Sequence, residues 1–499
     1  VAQESSMAQL TKIYQNLRAD FCDFFKAHPA FEVSLFILLG VFFHTPLSLL
    51  AITLSLALSY FIKKPIKGNA VFLLSSSFYF FSLAPVALEK GEWKNSNAYI
   101  CVTKQDFISK QGIKCSGILK ALSDGHSTIH VEKPISLFLP KSYEPTVLGD
   151  YIILGDFETK SGYYYSVKKL KKILEFQPSK LLIFRRHIKE WIEKKLSHYS
   201  FPIHGKLLLN ACLIGTPVTP NIKSVFSSLG LSHILAISGF HFSLIVMLLT
   251  KILEKVLPKP LLLLSICLYI TFYAALIGVS ASVERAYLAA LLGFLALLLQ
   301  KKTFSLNILA TAFIISFLTD PLSLKSIGFQ LSFVATLGIL CLYQPIFELL
   351  STIFPKRTFD EALQLNHFSQ WGHCLLYGIK GLLSLNFAVT FFTLPVLLFH
   401  FKEFPLLGLV YNLIVPLLIG YGMAIGLMGL VILVLFNIPI IYLLATAFLE
   451  ELVQFLIYFP RCFSYYIRIE TLSLSTVFLT ELFFIFGSLY TYQLIKKKS

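Results

Sequence analysis

Between residues 31 and 495 the chain returns repeatedly to apolar runs of about 20 residues, the length that crosses the hydrocarbon of a bilayer. Hydrocarbon offers no hydrogen-bond partner to a peptide group, so such runs fold as helices that satisfy their own backbone. Only 14% of the 499 residues are charged and 56% are hydrophobic, whereas soluble domains carry roughly a quarter charged residues. The first run begins near Phe31, too far into the chain for an ordinary cleavable signal. A soluble protein is excluded, and the fold class expected is a polytopic α-helical membrane protein with an inserted small all-β extracytoplasmic domain.

That insertion rests on a change of character after residue 90. Short runs rich in β-branched and aromatic residues, at 135–139, 150–157 and 163–167, alternate with Gly, Pro, Asp and Lys, as strands separated by turns do. The expected organisation is a cytoplasmic segment over 1–30, transmembrane helices over 31–90 and the β domain over 91–175. A basic amphipathic helix follows over 176–203, then a membrane domain over 204–495 and a basic cytoplasmic tail over 496–499. The early spans are placed at 31–43, 47–62 and 70–88. Those of the membrane domain are placed at 231–257, 261–279, 283–299, 304–319, 326–349, 382–400, 404–436 (one span or two), 438–458 and 473–495. A short helix is expected from Asn221 as N-cap to Gly230 as stop.

The net charge of +16 points to anionic partners, lipid headgroups or nucleic acid. Lys251, Lys255 and Lys259, then Lys301 and Lys302, then Lys356 and Arg357, and finally Lys496 to Lys498 follow alternate spans. All four clusters can therefore lie in the cytoplasm, as the positive-inside rule asks, which puts the β domain outside. Eight cysteines show neither CxxC nor a Cys/His metal spacing. Cys101 and Cys115 alone sit in a polar region and are the candidate disulfide pair.

The polar residues within apolar runs carry the functional signal, because they face protein or a watered path rather than lipid. The densest set is LGLSHILAISGFHFSLI at 229–245, with His233, Ser238, Gly239 and His241. Ser238–Gly239 allows a helix break or close backbone approach, against the plainer reading of a packing notch with a satisfied histidine. A Ser238–His241 catalytic pair lacks a third orienting group. Glu284 and Arg285 follow VSAS as an interfacial or watered charge pair, and Gln330 sits where interhelical hydrogen bonding is the ordinary role. Asn412 and Pro416 interrupt the run at 404–436, and Pro395 and Pro416 suggest kinked or broken helices. His367 and His373 flank Trp371 and read as a loop. No nucleotide, phosphate or metal motif is present; no cofactor and no enzymatic activity are expected, and vectorial work must draw on an ion gradient or a partner.

These motifs resemble the ComEC family of DNA-uptake membrane proteins. GLSHILAISGFHFSLI at 230–245 is similar to the family's Gly-x-x-His-x-x-Ala-x-Ser-Gly-x-His signature. YAALIGVSASVERAYLAALL at 273–292, DPLSLKSIGFQLSFVATLGIL at 320–340 and TLPVLLFHFKEFPLLGLVYNLIVPLL at 393–418 follow in family order. Glu284 departs from the neutral residue expected before the family's Arg–Ala. Longer members continue into a metallo-β-lactamase-like domain whose His-x-His-x-Asp-His motif does not occur in these residues, so a short form without nuclease activity is expected.

The resemblance implies an inner-membrane channel for single-stranded DNA in natural transformation, with an OB-like β domain over 97–170. Its partners would be single-stranded DNA, membrane lipids, a DNA receptor, a cytosolic motor and, in a homo-oligomer, further copies of the chain. His233, Ser238, Gly239, His241, Arg285, Gln330 and Asn412 become path candidates. Lys168, Lys169, Lys171, Lys172, Arg185 and Arg186 become DNA-binding candidates, with Tyr163 to Tyr165 as a stacking run or an interface belt. The alternatives are an intramembrane serine protease and a small-molecule secondary transporter.

Overall fold

The computed structural model describes residues 24–42, 51–58, 65–83, 92–175, 180–353, 366–458 and 466–487, apart from short gaps within these ranges. Two compact units are present, one built from 1–81, 284–413 and 466–499, the other from 82–283 and 414–465.

The early helices are α1, Pro29–Phe42, and α2, Pro65–Leu83. The inserted region folds as five strands: β1 Glu92–Ile108, β2 Ile113–Ser123, β3 Thr128–Leu139, β4 Asp150–Lys160 and β5 Tyr164–Glu175. They close into a barrel in the order β1-β2-β3-β5-β4, antiparallel except for the parallel β3–β5 pair. Ala98, Ile100, Leu119, Ile135, Leu137 and Ile153 are buried, the every-second-residue pattern of strands that turn one face to a barrel interior. Cys101 lies opposite Ile118 and Cys115 opposite Gln105. The side chains of both cysteines, the candidate disulfide pair, lie outside the described residues.

The second unit continues with α3 Lys180–Ser197, α4 Ile203–Ile214, α5 Pro220–Ser228, the single turn α6 Ser232–Leu235, α7 Gly239–Leu253 and α8 Lys259–Ile277. Thr219 is the N-cap of α5 and Pro220 its first residue, so the cap lies before the expected Asn221, because proline's fixed φ suits the first helical position. Gly230 ends the segment in a left-handed conformation, φ 72°, as its sequence position suggested.

The remaining helices are α9 Ala281–Leu298, α10 Ser305–Thr319, α11 Ile327–Ile353, α12 His367–Phe401, α13 Leu407–Phe436 and α14 Ile440–Tyr458. A 3-10 turn, Pro321–Lys325, links α10 to α11. Among the described residues six helices, α8, α9, α11, α12, α13 and α14, are long and apolar enough to cross a membrane. The chain is a multi-pass helical membrane protein.

Several expectations change here. The span placed at 231–257 is instead α6 and α7 with a break between them. The span at 404–436 is one helix, and Pro395 and Pro416 lie inside continuous helices, since neighbouring helices in a bundle compensate the lost hydrogen bond. His367 and His373 stand in the first turns of α12 rather than in a loop; Asn366 caps that helix by accepting from Ser369 N–H at 3.0 Å. Short strands β6, Glu403–Pro405, and β7, Tyr466–Arg468, pair antiparallel.

Glycines set the closest helix contacts. In the first unit a Cβ on Gly338 of α11 would lie 2.7 Å from the Ala388 carbonyl oxygen of α12. In the second, Gly205 of α4 lies against the Thr446–Glu450 backbone of α14, and Gly426 of α13 lies against Leu209. Tyr442 Oη donates to Asn210 Oδ1 at 2.6 Å across the same contact, so a buried polar pair fixes the register of α4 on α14.

Candidate functional site

The signature segment at 229–245 is an interrupted helix within the second unit. Ser232–Leu235 makes one turn, Ile237 lies outside any helix, and α7 starts at Gly239. Ser238 lies outside the described residues. Helix starts leave N–H groups without intrahelical partners, and α7 begins within an apolar stretch of the second unit. His241 is the third residue of α7 and 1% exposed, edge-on to Phe240 and within electrostatic range of His233. His233 is itself exposed and bonded to the Gly230 backbone.

The segment is held from three sides. Phe240 covers Gly420 of α13, Phe242 meets Tyr273 of α8 at 5.2 Å, and Ile237 packs near Gly215, which ends α4 with φ 72°. Tyr273 Oη donates to the Leu213 carbonyl at 3.1 Å, satisfying one of the open carbonyls at the end of α4. The wall around the break is therefore apolar and aromatic, and His241 is its buried polar group.

A second polar cluster belongs to the first unit. Arg285 Nε–H of α9 donates to Ser332 Oγ of α11 at 2.7 Å. Its neighbour Glu284 accepts from Ser316 Oγ of α10 at 2.9 Å. The adjacent charges are thus spent on two different helices, tying α9 to both. Among the described residues no carboxylate pairs with Arg285.

Gln330 works as a junction. Its amide donates to the Leu324 carbonyl at 2.8 Å and its oxygen accepts from His400 Nε2 at 2.7 Å. Both hydrogen-bonding ends are occupied, so Gln330 joins α11, α12 and the 3-10 turn. Asn412 Oδ1 is buried with no hydrogen-bond partner among the described residues.

The basic candidates divide. Lys168, Lys169, Lys171 and Lys172 stand on β5, and Arg186 on α3; their side chains lie outside the described residues, as does Tyr163. Arg185 departs from expectation. It is 7% exposed, and its Nε–H donates to the Ala275 carbonyl near the end of α8, so it bolts α3 down instead of facing a ligand. Lys195 Nζ donates to Asn437 Oδ1 at 2.6 Å, fastening the other end of α3. Burial, with the Arg185 charge beside it, pushes the Lys189 ammonium down to about 8, while Glu193 acts against this. Half-exposed Phe184 and Trp191 leave α3 the apolar and basic sides of an interfacial helix.

Three polar contacts escaped the sequence reading. Glu450 of α14 accepts from Gly205 N–H at 2.8 Å and meets His204 Nδ1 at 2.8 Å, capping α4 from another helix. Lys380 of α12 is 4% exposed, donates to Ser351 Oγ at 3.0 Å and lies 4.1 Å from the Phe347 ring centre. Asn210 pairs with Tyr442. In each case the signal was a charge or amide within an apolar run. No group of three or more His, Cys, Asp or Glu able to hold a metal occurs among the described residues.

Comparison with known proteins places this arrangement. The family described as "Competence protein" matches residues 216–494, more than half of the chain and all of both polar clusters. A relative, "ComE operon protein 3" of Bacillus subtilis (strain 168), is 24% identical over 255 residues, which is 50% of this chain and 29% of the relative. The match thus takes in less than a third of that protein's length. No solved structure matches. With the signature break, the Arg285 motif and the family match all falling in the same residues, the chain belongs to the competence protein family typified by ComEC.

Proposed function

We propose that this chain forms a channel through the inner membrane that takes up single-stranded DNA during natural transformation. One observation carries the reading: Arg285 is held inside a membrane domain by a serine hydroxyl and not by a carboxylate. A hydroxyl satisfies a donor without cancelling its charge, so the guanidinium keeps its attraction for phosphate. DNA carries one charge per phosphate, and a path for it needs distributed donors and water rather than an apolar wall. His241 at the helix break supplies a second polar group, and the open N–H groups of a helix start favour anions.

The barrel supports a role in gathering the strand. The closed five-stranded barrel supports reading this domain as OB-like, a fold that binds single strands through a basic groove and stacked aromatics. Lys168, Lys169, Lys171 and Lys172 on β5 are the phosphate contacts in this reading, with the barrel outside the cell membrane and the basic helix-end clusters inside. A DNA receptor would deliver the strand and a cytosolic motor would draw it in. The chain is then a conduit and not an enzyme.

The test is uptake of labelled DNA by cells carrying His241→Ala or Arg285→Ala, with the amount of protein in the membrane unchanged. Both variants should lose arrival of label in the cytosol. Undiminished uptake in both would remove these two residues from the path.

A further inference from the structure

The helical stretch after β7, described between residues 474 and 487, carries a carboxyl group that the channel reading does not use. Both oxygens of Glu481 are buried and neither has a hydrogen-bond partner among the described residues. Phe484 and Ile485 lie one turn on, at the i+3 and i+4 positions that share a helix face with Glu481. Phe484 packs on Phe391 and Phe392 of α12, with ring centres 6.1 and 5.8 Å apart. Ile485 belongs to the apolar core with Phe31 and Leu35 of α1, Ala310 of α10 and Cys341 of α11. Glu481 therefore shares the helix face that packs in the apolar core of the first unit.

The charged or titratable groups on the elements packed there are Glu32 on α1, Asp320 at the end of α10, Cys341, Tyr343 and Glu348 on α11, and His367, His373, Cys374, Tyr377, Lys380 and His400 on α12. None bonds to the Glu481 carboxyl: Lys380 is engaged with Ser351, His400 with Gln330, and Glu348 with Gln344. An ionised carboxylate with neither donor nor cation is strongly disfavoured in such surroundings, so the protonated form is the resting one and the ionised form a transient.

We infer that Glu481 is a proton-bearing site, a neutral carboxyl within the first unit that takes up and releases H+ as the transported strand moves. The chain has no nucleotide motif of its own, so an ion gradient is a natural source of work, and this carboxyl is placed to tap one. The coupling rests on the uptake reading; the site itself does not.

Dicyclohexylcarbodiimide, an apolar reagent, separates the two. It needs a protonated carboxyl: the acidic proton moves to a carbodiimide nitrogen as the carboxylate oxygen adds to the central carbon. The O-acylisourea then rearranges to an N-acylurea that retains every atom of both partners. In vesicles holding the full chain, mass spectrometry should find this adduct on Glu481, and none on the peptide from Glu481→Gln. A water-soluble carbodiimide should leave Glu481 unmodified. In cells, Glu481→Gln at wild-type abundance should lower DNA uptake tenfold or more, with Glu481→Asp retaining part of it. Modification by the water-soluble reagent and not the apolar one would overturn the site. Wild-type uptake by Glu481→Gln would overturn the coupling. An adduct on Glu481 in vesicles whose wild-type chain moves no DNA would uphold the site and remove the uptake reading.

Discussion

Ser332→Ala asks whether the Arg285 clamp holds the first unit together and how much it is worth. The bond is short, 2.7 Å from Nε to Oγ, and joins α9 to α11. Interhelical side-chain hydrogen bonds in membrane proteins average ~0.6 kcal/mol and reach ~1.7 kcal/mol. A charged donor belongs at the upper end, because hydrogen bonds to ionised groups contribute about 1.5–3 kcal/mol in soluble proteins. The expected coupling between Arg285 and Ser332 is therefore about 1–2 kcal/mol, roughly a five- to thirtyfold change in the folded fraction. Reversible unfolding in mixed detergent and lipid, applied to Arg285→Ala, Ser332→Ala and the double variant, measures it as a cycle. The single Ser332→Ala change should cost more than the loss of a hydroxyl on a lipid-facing surface, since it leaves a guanidinium nitrogen without its acceptor. Additivity of the two single changes within ~0.3 kcal/mol would refute the clamp.

Gly205→Ala should destabilise by about 1–3 kcal/mol, the usual cost of overpacking, because its Cβ would stand 2.8 Å from the Glu450 nitrogen, a backbone atom that cannot rotate away. Gly293→Ala on α9, with nothing within 4 Å of its Cβ, is the control and should be neutral or slightly stabilising by helix propensity; equal unfolding midpoints would contradict the close α4–α14 contact. Ser332→Asp should move stability and transport in opposite directions, tightening the α9–α11 contact by a direct ion pair while neutralising Arg285. Unfolding and DNA uptake measured on the same preparation check it, and a variant that transports normally would show that the Arg285 charge is not used.

The helical class was legible because a run of about 20 apolar residues has one stable backbone in lipid. Strands β3, β4 and β5 were legible because β-branched and aromatic runs at 135–139, 150–157 and 163–167 are set off by turn residues. What was hidden depended on partners distant in sequence. Hydropathy cannot distinguish a continuous span from α6 and α7 with a break between them, since both are equally apolar. Proline was over-read as a breaker at Pro395 and Pro416, where packed neighbours maintain the helix. Arg185 looked like a ligand contact until the Ala275 carbonyl came within its reach. Of the path candidates, His241 and Arg285 occupy buried or interhelical polar positions, Gln330 is fully used as a junction, and His233 lies exposed.

Among the described residues, two interior cations of the first unit follow one rule. Arg285 on α9 meets Ser332, and Lys380 on α12 meets Ser351; both serines belong to α11. Among the described residues neither cation has a carboxylate partner, although Glu284 is adjacent to Arg285 in sequence and is turned to Ser316 instead. A salt bridge would offset more of the desolvation cost of each charge, but it would also leave no net field for a phosphate to feel. Hydroxyl partners reverse that balance: they supply an acceptor for one N–H and leave the positive charge intact. Lys380 gains further from the Phe347 ring face, which attracts a cation without neutralising it. Holding these cations through serines of α11 leaves each without a direct ion pair, which is the feature the proposed polyanion path draws on.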